Sequence, residues 1–265
     1  MWNDYIIEIE GTTIHYYRTG GEKPPMVFLH GLTDYGLGWK KVAQEFESKY
    51  DILLLDARGH GQSHTEELDY SISTMANDVK LVIKSLSLDK IILIGHSMGG
   101  QVASVVATIC PKRIKCLILE DPAYPLETKN RLNEEDKNKY IIDYLTKRSN
   151  KSLIELQDYC RKMFPSWDDV DIEYWAKSQL EFMNNNPKTT LENVKADLDW
   201  KKIFPKIVCP TLLVIPSHGI LSLKDAESII TLFKQAKIEY IMNADHNVRR
   251  SQYNLFIEAV KKFLG

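Results

Sequence analysis

Short runs of Ile, Leu and Val with little polar alternation constrain this chain more than any other feature. They fall at residues 26–29, 52–55, 91–94, 114–119, 212–215 and 238–242. Each is too short for a buried helix, and a strand wetted on one face would show a period of two. Runs of this kind fit strands covered on both faces, as in a parallel sheet with helices above and below. Patterns at helical spacing separate them: Ile72, Met75, Ala76, Val79, Val82, Ile83 and Leu86, then Val102, Ala103, Val106 and Ala107. The chain closes on a third, Tyr253, Phe256, Ile257, Val260 and Phe263. Near the start, residues 5–9 and 14–18 flank Gly11-Thr12 and read as a hairpin, which brings the expected strands to eight.

One stretch breaks the alternation. From 122 to about 204 no convincing strand occurs, and helical patterns at 140–145, 153–163 and 172–183 fill the space, with Pro165 and Pro187 as breakers. Roughly 80 residues of helix exceed what one crossover between parallel strands needs. The expectation is a core built from 1–121 and 205–265, with 122–204 inserted as a helical cap over one end of the sheet.

The run Ile91-Ile92-Leu93-Ile94 leads straight into Gly95-His96-Ser97-Met98-Gly99-Gly100, and a helical pattern follows at once. A serine there, between strand and helix, sits on a strained turn that projects its hydroxyl above the sheet edge. Side chains at 95 or 99 would strike neighbouring backbone. The helix N-terminus aims its amides and the positive end of its dipole at the same spot, which suits a developing oxyanion.

Phe28-Leu29-His30-Gly31-Leu32, Asp56-Ala57-Arg58-Gly59-His60-Gly61-Gln62-Ser63, Gly95 to Gly99, and Ala244-Asp245-His246-Asn247 stand in order along the chain. In that order they resemble the oxyanion loop, fourth-strand loop, nucleophile elbow and histidine loop of the α/β-hydrolase fold family. The resemblance covers almost the whole length. It implies a mostly parallel eight-stranded sheet flanked by helices, with Ser97 as nucleophile and His246 as base. It also implies that the backbone amides of Leu32 and Met98 form the oxyanion hole. Of the seven histidines, His15 and His64 read as structural, and His30 and His60 as turn residues. His96 cannot easily fold back onto its neighbour Ser97, and His218 stays a lesser alternative for the base.

The acid that orients the imidazole is where the chain departs from the family's commonest pattern. After the seventh strand, where an aspartate is usual, the sequence reads Ile215-Pro216-Ser217-His218-Gly219-Ile220-Leu221. Asp225 comes late and reads as a solvated or capping residue, and Asp245 adjoins His246 in sequence. At the end of the sixth strand, Glu120-Asp121-Pro122-Ala123 offers two carboxylates, of which alternation lets only one face the site. The Asp-Pro-Ala turn resembles the relocated acid of pancreatic-type lipases, and Asp121 is preferred over Glu120.

The 34 basic and 36 acidic side chains leave a net charge of -2 and no electrostatic footprint for nucleic acid. No apolar run is long enough to span a membrane, and the start of the chain lacks the pattern of a secretory signal. The four cysteines, Cys110, Cys116, Cys160 and Cys209, show no disulfide framework, which suits a cytoplasmic protein. Neither a metal-ligand cluster nor a dinucleotide or P-loop motif occurs, so no cofactor and no metal are expected. Serine rather than aspartate at the elbow argues against dehalogenation and epoxide opening. The expected function is that of a serine carboxylesterase acting on a small-molecule ester by an acyl-enzyme route. Alternatives are a C–C bond hydrolase, enol-lactonase or haloperoxidase-like enzyme on the same triad, or a non-catalytic ligand receptor. Oligomeric state is left open.

Overall fold

The computed structural model describes residues 2–125, 134–196 and 198–265. Residues 126–133 and Asp197, which fall in the segment expected to form a cap, lie outside the described residues. The main sheet contains β1 (Asn3–Ile9), β2 (Thr12–Arg18), β3 (Pro25–Leu29), β4 (Asp51–Leu55), β5 (Ile91–His96), β6 (Ile114–Glu120), β7 (Thr211–His218) and β8 (Ala236–Asp245). Their spatial order is β1-β2-β4-β3-β5-β6-β7-β8, and a two-residue strand, His64–Thr65, is added beside β2. The β1/β2 and β2/β4 pairs are antiparallel; every neighbouring pair from β4 to β8 is parallel.

The helices used below are α1 (Ile72–Ser85), α2 (Met98–Ile109), α3 (Glu134–Arg148), α4 (Leu153–Met163), α5 (Asp169–Asn184), α6 (Leu223–Ile230), α7 (Val248–Ser251) and α8 (Tyr253–Leu264). Alternation along the strands explains why the sequence runs carry no polar phase. Val27, Leu29, Leu53, Leu55 and Leu93 share a cluster with Ile72 and Met75 of α1 and Val102 and Val106 of α2. Met26, Phe28, Ile52, Leu54, Ile92 and Ile94 point the other way, into a second cluster with Trp39, Phe256 and Val260. Both phases of each strand are therefore apolar, because both faces of the sheet are covered. No helix among the described residues is long and apolar enough to cross a membrane.

The parallel register brings the strand ends level. Gly95 lies opposite both Leu29 and Leu119, His96 opposite Glu120, and Glu120 opposite Val214. The residues that follow β3, β5, β6 and β7 thus emerge together at the carboxyl edge, the edge where open α/β sheets bind ligands.

Over this edge lie α3, α4 and α5. A capping box at Ser152 and Glu155 starts α4, and Asp168 caps α5. The connection and the facing sides of α4 and α5 share a small core of Leu156, Cys160, Trp167, Ile172, Trp175 and Ala176, and α3 packs Ile141 and Tyr144 against Phe182 and Leu191. Polar contacts fasten them to the sheet loops: Gln179 Nε2 donates to Thr33 O at 3.0 Å, and Asn185 Nδ2 to Ser63 O at 3.0 Å. Lys41 bridges Asp168 and Asp171. One departure from the sequence reading occurs in this segment. Val194–Lys195 forms a two-residue parallel strand with Tyr70–Ser71, too short to leave a pattern in the sequence.

Glu181 on α5 has a buried Oε2 with no partner among the described residues. Burial, reinforced by Asp56, pushes its carboxyl up to about 7. The folded state therefore binds this proton more tightly than the unfolded chain. The resulting stability is fully present below the ordinary glutamate range and is lost as pH rises through about 7. Glu181→Gln is expected to raise the urea midpoint at pH 8 by more than at pH 5. An equal change at both pH values would show that this carboxylate ionises without cost.

Candidate active site

Ser97 occupies the turn between β5 and α2 with φ 53° and ψ -116°, a conformation that L-residues seldom adopt and that is associated with functional strain. The turn closes because its flanks are glycine. A Cβ at Gly95 would stand 2.3 Å from the Gly99 carbonyl oxygen, and one at Gly99 would stand 2.3 Å from that of Leu29. The Ser97 amide is anchored across the sheet to Glu120 O at 3.0 Å. Met98 begins α2, so its amide is one of the unsatisfied donors of the first turn. Leu32 belongs to the loop after β3. Among the described residues neither the Leu32 nor the Met98 amide has a hydrogen-bond acceptor, and both residues line the same cavity as Ser97 and His246.

Asp121 follows β6 directly, with φ 36°, and is fully buried. His246, in the loop after β8, donates from Nδ1 to Asp121 Oδ2 at 2.6 Å. The other ring nitrogen is thereby left as an acceptor. The same carboxylate accepts the Ile220 amide at 2.8 Å on Oδ2 and the Leu221 amide at 2.9 Å on Oδ1. Where an acidic side chain was expected to be missing after β7, the loop thus supplies two backbone donors to an acid from the neighbouring strand. Gly219 permits this approach, since a Cβ there would lie 2.3 Å from Asp121 Oδ2.

The other candidates are placed elsewhere. Glu120, one residue earlier and facing away, accepts from the Arg249 amide at 2.7 Å and from Arg249 Nη1 at 2.8 Å. Asp225 pairs with Ser222 at the start of α6. Asp245 accepts from Trp167 Nε1 at 3.0 Å and the Asn247 amide at 2.7 Å. His218 is exposed. His15 is buried against Asp56 at 2.8 Å, and the Asp56 carboxylate also accepts the amides of Gly36 and Gln62.

Two features escaped the sequence reading. The His96 ring packs on that of His246, with centroids 4.6 Å apart, and its Nε2 donates to the His246 carbonyl at 2.9 Å. Burial, with Arg249 and His246 nearby, holds its pKa well below the usual histidine range, so it supports the loop as a neutral ring. Arg249 and Arg250 of α7 are also buried. Both reach Asp34 Oδ2, at 2.9 and 2.8 Å. Burial raises the Asp34 pKa, but the two guanidiniums outweigh it and keep the carboxyl below its ordinary value. The arginine doublet just after the histidine loop was the available signal. It was masked because adjacent charges on a short helix ordinarily face solvent.

The cavity encloses about 560 Å³ beside Ser97. Of the aromatic side chains between β6 and β7, Tyr140, Tyr144, Tyr159, Phe164, Trp167 and Trp175 line it. Tyr124 instead packs against Trp200 and Phe204, and Met183 packs on the small cluster of Tyr144 and Phe182. Thr33 and Asp34 reach the cavity, whereas Trp39 is wholly in the core.

Residues 24–143 match the model of the alpha/beta hydrolase fold family. A Haemophilus influenzae protein bearing an esterase/lipase name is 29% identical over 95% of this chain and 86% of its own length. Epoxide hydrolase 1 of Caenorhabditis elegans is 26% identical over 100% of this chain and 70% of its own. Among solved structures, an esterase from Exiguobacterium antarcticum superposes with a TM-score of 0.81 at 21% identity, covering 98% of each chain. With the strand order, the elbow and the matched segment in agreement, the chain has the α/β-hydrolase fold.

Proposed function

We propose that the protein is a serine hydrolase that cleaves a carboxylic ester of a small molecule through an acyl-enzyme. The observation that carries this reading is the 2.6 Å contact between His246 Nδ1 and Asp121, on a cavity shared with Ser97 and with two amides that have no acceptor among the described residues. In this reading Ser97 Oγ attacks the ester carbonyl as the unprotonated Nε2 of His246 takes its proton. Asp121 fixes the tautomer and stabilises the imidazolium. The amides of Leu32 and Met98 receive the oxyanion, each such donor contributing about 3 kcal/mol in the transition state. His246 returns the proton to the leaving alkoxide, and a water that it activates then releases the acid. The segment 122–204 acts as the cap that encloses the substrate.

The esterase/lipase name of the Haemophilus relative agrees with this chemistry. Epoxide hydrolysis, the activity in another relative's name, is disfavoured because the elbow presents a hydroxyl where a carboxylate nucleophile would be needed. A product profile over esters, lactones and β-diketones separates ester cleavage from lactonase or C–C hydrolase activity.

Two sets of variants test the assignment. Ser97→Ala is expected to fold and to lose covalent labelling by a fluorophosphonate; labelling that persists at another serine removes Ser97 from the mechanism. Asp121→Asn is expected to lower kcat about 10²–10⁴-fold, because an amide favours the wrong tautomer and cannot stabilise imidazolium. Asp225→Asn and Asp245→Asn should stay within about tenfold of the parent, as groups not oriented on the imidazole. The opposite ranking would return the acid to the seventh strand.

A further inference from the structure

Three cationic side chains line the cavity: Lys147, Arg148 and Arg250. Two are already matched by carboxylates. Lys147 pairs with Asp143 at 2.7 Å on its own helix, and Arg250 pairs with Asp34 at 2.8 Å, with Asp171 at 4.0 Å. The carboxylates on the wall, Asp34 and Asp143, are taken by those same pairs. Arg148 differs. Its Nε donates to Gln179 Oε1 at 2.9 Å and its Nη1 to the Tyr144 carbonyl at 3.3 Å. Both acceptors are neutral, and among the described residues no carboxylate lies within ion-pair distance of the guanidinium.

The surroundings hold this cation rigidly. The guanidinium carbon lies 3.9 Å from the Tyr144 ring centroid, 5.4 Å from that of Tyr159 and 5.7 Å from that of Trp175. Gln179 is itself fixed by Tyr144 Oη at 2.6 Å and by its own bond to Thr33 O. All four of these neighbours line the cavity. A half-buried arginine among aromatic rings has lost much of its water, and no fixed charge replaces it. The planar fork keeps donors to spare, and a carboxylate is the group whose geometry they match.

We propose that Arg148 is the anchor of a carboxylate-binding subsite in the cavity, so that the preferred ester carries a free carboxylate on its acyl or alkoxy part. This inference rests on the serine-esterase reading for its substrate and adds the charge that substrate bears. Stacking on Tyr144 alone would give Arg148 a purely structural role, and the two roles separate experimentally.

Mono-p-nitrophenyl succinate and glutarate are compared with neutral p-nitrophenyl acyl esters of matching length. The wild type is expected to favour the anionic esters, chiefly through KM. Arg148→Met should lower kcat/KM for them by about 10–100-fold more than for the neutral set, the effect of one charge-assisted contact. Arg148→Lys keeps the charge and should recover part of the difference. Calorimetry with glutarate and with its uncharged diamide gives a second readout independent of turnover: binding of glutarate alone, lost in Arg148→Met, is expected. No charge preference in the wild type, or equal losses on both ester sets, overturns the subsite. Should no ester react at all while glutarate still binds through Arg148, the subsite stands and the esterase reading fails. If Arg148→Met does not fold, the Lys variant and the binding of glutarate to the wild type decide the matter.

Discussion

One buried carboxylate joins three strand ends of this fold. Asp121 leaves β6, accepts two amides from the loop after β7, and receives the imidazole that follows β8. Charge-assisted bonds of this kind are roughly twice as strong as neutral ones, and together they offset the cost of burying the charge. Without those amides the carboxylate would be an unsolvated ion held by a single ring. The φ of 36° at Asp121 belongs to the same constraint, since the chain must turn sharply at the sheet edge to bring the side chain toward His246.

A second set of buried charges fixes the other side of the histidine loop. Glu120 and Asp34 grip Arg249, and Asp34 also grips Arg250. Arg249 stacks over Trp39 at 4.3 Å and Arg250 over Trp167 at 4.8 Å. Such pairs add little net stability relative to apolar packing, but breaking one partner typically costs about 3–5 kcal/mol. Their effect here is positional. They lock α7, which starts two residues after His246, to the loop after β3 and to the last residue of β6. His96 completes the support from below without carrying charge.

Much of this was legible in the sequence, and for physical reasons. Strands buried on both faces announce themselves by continuous apolar runs, and a strained elbow demands glycines at fixed offsets, as at Gly95 and Gly99. Strand alternation left only one of Glu120 and Asp121 to face the site, and the preference for Asp121 came from the resemblance of its Asp-Pro-Ala turn to a relocated lipase acid. What sequence could not carry was anything made by backbone groups or by tertiary pairing. The amides of Ile220 and Leu221 have no residue signature. His96 could be judged only by its distance along the chain from Ser97, whereas its partner is the His246 carbonyl, 150 residues away. The aromatic surroundings of Arg148 come from three helices, α3, α4 and α5, and depend on how those helices pack.

A carboxylate that reaches His246 from the end of β6 also changes what the loop after β7 is free to become. That loop contributes to the carboxylate through peptide N–H groups, which every residue except proline possesses. Its side chains are released from the task. Ile220 is half-exposed and lines the cavity, while its amide holds Asp121. Position 220 is therefore a place where the shape of the cavity wall can drift over generations, or be diversified in a library, while the Asp121–His246 contact stays the same.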